Sequence, residues 1–382
     1  MIVNFEFFDE EPIENVITCL HHKIDKVIFF GERKILEGRR KYTEDFLRSH
    51  CNVTDVDFIE ISASKPNKII DTMKRAIELE RKQNNDCYFD ITGGEGLSLF
   101  AFGAVSKDLD VPVHMYDIEK DELCEFKNTN GQCISNDVPA QNIHLNLEKY
   151  IEMHGGKINP YLNKNYKHQH TEADLQHIQT LWDLSHQFSR EWNQLANFLS
   201  QYAQELHVSL DFATVRAGIE TRRALSINKI VRILDACSDA GILYNVTHAN
   251  GTFTFSYVSD LVMRCMCVSG DVLEQYTFLQ EYRAEGVIDC QIGVHIDWDG
   301  VLHYQKGQDV INEIDVLALY GNVPVFISCK NGAVDKTAMY ELQTVTERFG
   351  GKYARKVLAV TKPIAHVYEL RAQEMGIEIR VL

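Results

Sequence analysis

The chain has 382 residues, a formal net charge of −16, 45% hydrophobic and 25% charged side chains; this is the make-up of a globular protein long enough for two or three cores. The acidic balance argues against a protein that coats nucleic acid through bulk positive charge. No apolar run approaches the roughly 20 residues of a membrane span and no basic-then-apolar leader opens the chain, so a cytoplasmic protein without a membrane partner is expected.

Residues 1 to about 155 read as strands alternating with helices. Short apolar or β-branched runs from Ile2 to Phe8, Lys26 to Gly31, Val56 to Ser62, Cys87 to Thr92 and Val113 to Ile118 are separated by helical stretches. These stretches run from Ile13 to His22, Leu36 to Ser49, Lys68 to Gln83 and Leu97 to Lys107. The alternation predicts a mostly parallel, doubly wound, Rossmann-like α/β sheet, with Leu123 to Lys127 as an antiparallel edge. Ligands bind such sheets beyond the carboxyl ends of the strands, which singles out three loops. Phe8, Asp9 and Glu10 leave the first strand; Gly31, Glu32, Arg33 and Lys34 leave the second; Thr92, Gly93, Gly94, Glu95 and Gly96 follow the fourth and open a helix. Glycines let backbone approach a ligand closely, and the helix N-terminus offers free N–H groups to a phosphate or a nucleobase acceptor. The run is neither G-x-G-x-x-G nor a Walker A loop, and a tight turn made for packing explains it at least as well.

Gly155 to His170 has the turn-forming, polar character of a linker. A long helical region follows from Glu172 to Glu205, with Leu175, Ile178, Leu181, Leu184 and Phe188 at spacings of three and four. His168, His170, His177 and His186 lack the H-E-x-x-H spacing and read as solvated or packing histidines. Next come an amphipathic helix from Ile227 to Ser238 and two short strands, Tyr244 to Val246 and Thr252 to Tyr257, across Asn250-Gly251. Helix plus two-stranded wing outlines a winged helix-turn-helix. Arg222, Arg223, Lys229 and Arg232 make it locally basic, as nucleic-acid contact requires, but Asp235 and Asp239 interrupt that face and favour a spacer.

From Met263 the order is helix, strand, hairpin, helix, strand, helix, strand. Gly293 to Trp298 is the expected first strand, and Ile314 to Tyr320 pairs with Val323 to Cys329 about Gly321-Asn322. Glu313, Asp315 and Lys330 then sit on paired strands. A carboxylate facing a lysine in this way suits metal-assisted phosphodiester cleavage: the carboxylate holds a cation, the cation acidifies a water, and the ammonium steadies the phosphate or the water. The plainer reading is an ordinary, weak surface pair. A helix from Thr337 to Phe349 carries Glu341, read as solvated, and strands from Lys356 to Val360 and Ile377 to Val381 complete the sheet. The ten cysteines have no C-x-x-C pair and read as reduced core residues.

The segment E-I-D-V-L followed by F-I-S-C-K-N-G resembles the core of the PD-(D/E)xK nucleases, with Asp315 as the aspartate and Ser328-Cys329-Lys330 as the x-x-K element. Ser328 stands where that motif usually has Asp or Glu. Gly270-Asp271-Val272-Leu273-Glu274 is similar to the G-x-W-L-E segment that many of these nucleases carry before the hairpin, which makes Glu274 the candidate second carboxylate and Glu313 the reserve. Upstream, D-I-T-G-G-E-G-L-S-L-F-A resembles the [N/D]-x-T-G-G-T element of CARF domains, the cyclic-oligoadenylate sensors of type III CRISPR systems, departing from it at Glu95. Leu145 to Gly156 resembles the end of the CARF half where CARF is joined to a PD-(D/E)xK nuclease.

This resemblance implies a CARF ligand-sensing domain at 1–156, a linker with helical and winged-helix-like parts at 157–265, and a restriction-endonuclease-like nuclease domain at 266–382. It further implies cyclic tetra-adenylate as allosteric activator, held by the three loops of a homodimer. Cleavage of DNA (single-stranded or supercoiled) or RNA would use Mn²⁺ or Mg²⁺ on Glu274, Asp315 and the Cys329 carbonyl. Lys330 would support the attacking water, and Ser328 would be a weak ligand or hydrogen-bond partner. The rival is a ligand-controlled DNA-binding regulator whose nuclease-like half does not cut.

Overall fold

A computed structural model describes residues 1–62, 65–126, 141, 143–162, 170–220, 222, 224–249, 251–302 and 310–382. Expectations that fall on His168, Arg223, Asn250 and Lys127 lie outside the described residues. The first sheet contains β1 (Ile2–Phe7), β2 (Lys26–Gly31), β3 (Asp55–Glu60), β4 (Asp86–Asp90), β5 (Val113–Asp117) and β6 (Glu122–Phe126), in the order β3-β2-β1-β4-β5-β6. Five strands are parallel and β6 runs antiparallel to β5, so the doubly wound sheet with its reversed edge is as the alternation implied. Helices Arg33–His50, Pro66–Lys82 and Gly96–Leu109 make the crossovers. The helix expected from Ile13 to His22 is instead a 3-10 turn, Pro12–Asn15, and a short helix, Ile17–His21. Asn15 explains the break, because its amide bonds both the N–H and the carbonyl of Asp9 and competes with helix propagation.

The remaining strands are β7 (Lys157–Ile158), β8 (His207–Asp211), β9 (Leu243–Thr247), β10 (Thr252–Tyr257), β11 (Val287–Asp297), β12 (Ile311–Tyr320), β13 (Val323–Lys330), β14 (Arg355–Val360) and β15 (Ile377–Val381). β8, β10 and β9 form a small sheet beside helices Phe212–Ile219 and Ile227–Asp239, a winged helix-turn-helix with an additional strand. The third sheet has the order β15-β14-β13-β12-β11-β7: an antiparallel meander through β13, then parallel β14 and β15. The proposed linker is thus interrupted, since Lys157 and Ile158 pair with Asp297 and Ile296 and extend this sheet. The strand expected from Gly293 to Trp298 is the later part of β11.

Strand alternation stacks these sheets. Val27 and Phe29 face one side of the first sheet while Ile28 and Phe30 face the other, as a period of two requires. In the third sheet Leu317 and Leu319 point toward Val27 and Phe29, and Val316 and Ala318 point away. One core therefore lies between the two sheets, filled by Phe8, Ile13, Tyr150, Ile151, Phe326 and Phe349 among others. The far side of the third sheet is covered by helix Asp271–Tyr282, the long helix Glu172–Tyr202 and the winged-helix unit.

Candidate active site

The hairpin of β12 and β13 is paired from Tyr320↔Val323 to Val316↔Ile327. Past Ile327 the strands part, and β13 continues beside β14 through Lys330↔Val360. Asp315 stands in the fork. Its Oδ2 accepts the Cys329 N–H at 2.6 Å and the Ser328 hydroxyl at 3.2 Å, so the carboxylate supplies the acceptor that β12 no longer offers. Burial pushes the Asp315 carboxyl above the usual aspartate range; the Cys329 N–H, the Lys330 charge and the Ser328 hydroxyl pull it back only in part, and Glu313 adds to the rise. Glu313 and Asp315 share a face of β12, but Glu313 is exposed.

Glu274 lies in the first turn of helix Asp271–Tyr282, which packs on β11, β12 and β13. Its charge and that of Asp315 both act on Cys329, whose thiol is pushed well up, first by burial. That sulfur stays protonated and is no thiolate ligand. Among the described residues no three His, Cys, Asp or Glu side chains converge as a metal cage. Two carboxylates, a backbone carbonyl and solvent are nevertheless a hard-oxygen donor set of the kind Mg²⁺ and Mn²⁺ accept, because these ions keep several waters. The residues therefore fit such a cation, with Ser328 bonded to Asp315 in place of a third carboxylate. Glu341 is exposed on helix Lys336–Phe349, as expected for a solvated position.

The three sensor loops meet at the carboxyl ends of neighbouring β2, β1 and β4, where the order of strands reverses. Asp9 Oδ2 accepts the Gly94 N–H at 3.0 Å. Gly94 has φ +107°, and a Cβ there would come within 2.9 Å of the Phe7 ring, so only glycine fits. Thr92 is committed to the fold: its hydroxyl accepts the Tyr116 N–H at 2.9 Å. Glu10, Glu32, Arg33, Lys34, Glu95 and Gly96 are exposed and rim the loops. Phe8 does not join them; it is 3% exposed and sits against Phe29 and Phe58 in the inter-sheet core. Gly31 is likewise buried, against Phe8 and Leu36.

Two residues beside these loops carried no signal in the sequence. Glu11 Oε2 accepts the Lys352 N–H at 2.7 Å. Glu14 accepts from Tyr353 OH at 2.6 Å and pairs with Lys352 Nζ at 2.6 Å. Both ties reach the loop that leads into β14.

Three basic residues of the winged-helix unit, Arg222, Lys229 and Arg232, are engaged by groups of this chain. Lys229 pairs with Glu191 at 2.8 Å, Arg232 lies 5.3 Å over the Phe188 ring, and Arg222 bonds Gly218 and Asn197 carbonyls and Gln201. All these partners except Gly218 belong to the long helix, which is what a spacer needs. His170 stacks on Phe278 and His186 packs at a tilt against Trp182, as packing histidines do.

These features define a class: an α/β protein in which a doubly wound sheet with a loop cluster at its switch point is stacked on a second, mixed six-stranded sheet. No protein-family model matches the sequence, and no curated protein matches it. Among solved structures the chain is similar to protein VC1899 from Vibrio cholerae, at 18% identity and TM-score 0.71 over 100% of this chain and 94% of that one. It is also similar to Can2 from Sulfobacillus thermosulfidooxidans in complex with cyclic tetra-adenylate, at 16% identity and TM-score 0.62 over 99% of this chain and 92% of that one. At such identities the likeness is one of fold, and it extends over both sheets and the helical middle. The α/β fold class expected from the sequence, a Rossmann-like doubly wound sheet followed by a helical middle and a further sheet, is borne out at that level.

Proposed function

We propose that the chain is a metal-dependent endonuclease switched on by a cyclic oligoadenylate, acting in type III CRISPR defence. The observation that carries this reading is the hairpin fork, which gathers a half-buried carboxylate, a lysine and a second acidic residue at one strand end. Asp315 and Glu274, with the Cys329 carbonyl, would hold Mn²⁺ or Mg²⁺, and such an ion lowers the pKa of water and offsets charge on a phosphate. Asp315 is kept in place by Cys329 and Ser328. Lys330, one residue further along β13, presents its ammonium to the phosphate or the attacking water. The likeness to Can2, solved with cyclic tetra-adenylate, supports that ligand for the loops at the ends of β1, β2 and β4. A ligand with two-fold symmetry suits a homodimer, and Leu97 and Phe100, the latter 69% exposed on the helix that starts at the loop, offer an apolar surface for the partner.

The test is incubation with cyclic tetra-adenylate and Mn²⁺ in the presence of supercoiled plasmid, single-stranded DNA and RNA. Cleavage by the wild type, lost by at least about 100-fold in Asp315→Asn and Lys330→Ala, is the expected result. Sequence-selective duplex binding without cleavage would instead favour the regulator; the pairing of Arg222, Lys229 and Arg232 with groups on the long helix weighs against that outcome.

A further inference from the structure

A cavity of about 500 Å³ opens between the long helix, the turn before helix Asp271–Tyr282, and the ends of β13 and β14. It adjoins the fork on two sides: Asn331 and Gly332 in its wall follow Lys330 directly, and Leu273 in its wall precedes Glu274. Its charge is unlike that of the molecule. In a chain of net charge −16, the charged residues lining this cavity among the described residues are Arg190 and Lys362, with no carboxylate among them. The size falls within the roughly 300–1,000 Å³ of small-ligand sites.

Three further features make the cavity a built site. The Asn331 amide is fixed from both sides, donating to Asn193 Oδ1 at 3.1 Å and accepting from Thr361 Oγ1 at 3.3 Å. The long helix breaks at Ser189, with φ +41° and ψ −101°, and this residue lines the cavity. Backbone held in so unfavourable a region clusters at ligand sites. The wall is aromatic: Trp182, backed by the parallel Tyr276 ring at 4.1 Å, carries the exposed His186 ring, tilted 52° to it with centroids 4.1 Å apart.

We infer that this cavity receives one unpaired nucleotide of the substrate strand, adjacent to the phosphate that is cut. Arg190 and Lys362 take the flanking phosphates, the exposed His186 ring over Trp182 takes the base face, and the fixed Asn331 amide meets a base or sugar edge. Stacking on aromatic groups combined with local cations is how unpaired strands are held without a broad basic surface. A base still paired in a duplex has no free face to enter, so the site selects single strands. This inference rests on the nuclease reading and adds which form of substrate the site accepts.

The experiment measures anisotropy of a fluorescein-labelled oligothymidylate, alone and annealed to oligoadenylate, with cyclic tetra-adenylate and Ca²⁺ in place of the catalytic ion. The wild type should bind the single strand at least about tenfold more tightly than the duplex. R190A/K362A should weaken single-strand binding about tenfold or more and reduce the slope of log affinity against log salt by about 1.4, at roughly 0.7 per phosphate contact. H186A should weaken binding without changing that slope. Both cations are exposed, so melting temperature is expected to hold; K362E is the second variant should the double one unfold. Equal affinity for duplex and single strand, or wild-type binding and salt slope in R190A/K362A and K362E alike, overturns the assignment. Selective single-strand binding by a protein that cuts nothing with Mn²⁺ leaves the cavity assignment standing and removes the nuclease reading.

Discussion

Asp315 has two duties that pull in different directions. As an ionised group it is costly to bury, yet as an acceptor it closes the fork between β12 and β13. Asparagine can accept the same Cys329 N–H, so Asp315→Asn removes the charge while keeping the joint, and its melting temperature should lie near that of the wild type. Ser328→Ala isolates the supporting hydroxyl. Because Ser328 touches Asp315 at 3.2 Å and acts through it, cleavage should fall by roughly 10–100-fold, the usual cost of losing a partner that orients a metal ligand. The pH profile separates this from a loss of fold. Burial, the largest influence, raises the Asp315 carboxyl above its ordinary 3.8 and the Ser328 hydroxyl works against the rise. Activity that needs ionised Asp315 is present above the raised pKa and is lost as pH falls through it; in Ser328→Ala that acid limb should move to higher pH, read from kcat/KM against pH.

The turn and short helix after β1 link the two halves. Asp9 holds the Gly94 N–H on the sensor side, while Glu11 and Glu14, a few residues on, hold Lys352 and Tyr353 at the start of the strand paired with the Lys330 strand. Gly351, at φ +67°, has no room for a Cβ beside the Glu11 carboxylate, so the loop is fitted to this contact. A ligand that moves the Gly93-Gly94 turn therefore pulls on β14 through three carboxylates. Tyr353→Phe removes one tie and leaves the sensor loops intact. Ligand affinity in isolated binding should change less than threefold while the rate ratio with and without ligand drops by about fivefold or more, within the usual range of coupling energies. These ties explain what was legible beforehand. Period-two and period-3.6 apolar patterns located most of the strands of both large sheets, and Gly321-Asn322 located the hairpin, because those signals are local. β7, two residues long, exists only because β11 pairs with it, and β8 alternates exposed His207, Ser209 and Asp211 with buried Val208 over too few residues to stand out. Helix Phe212–Ile219 is absent from the expected elements, although Asp211 caps it by accepting the Thr214 N–H and the D-F-A-T run carries that signal. Glu11 and Glu14 were beyond reach, since their partners lie more than 330 positions away. Phe8 was misjudged as a ligand residue because its place after the strand said nothing of Phe29 and Phe58 closing over it.

At the scale of the molecule, the division at residue 156 falls within a continuous body. Tyr150 is wholly buried and donates to the Gly350 carbonyl at 2.9 Å, the Leu147 N–H bonds Asp289 at 2.9 Å, and one core fills the space between the sheets. Severing the chain there would expose apolar faces on both pieces. Free energy shared across such a core makes the sheets cooperative, so heating should give one calorimetric transition for both rather than one for each. A ligand that binds only the native loops at the ends of β1, β2 and β4 then stabilises the third sheet as well. At a free concentration 100 times Kd the gain is about 2.7 kcal/mol. With an unfolding entropy of about 2.1 cal/mol/K per residue, that raises the single transition of this chain by about 3 °C. A fluorescent reporter on the exposed face of helix Lys336–Phe349 should register the same rise as one on helix Pro66–Lys82. Two separate transitions, with only the reporter on the sensor moving, would mean that the ties through Glu11, Glu14 and Tyr150 are too weak to carry a signal from one sheet to the other.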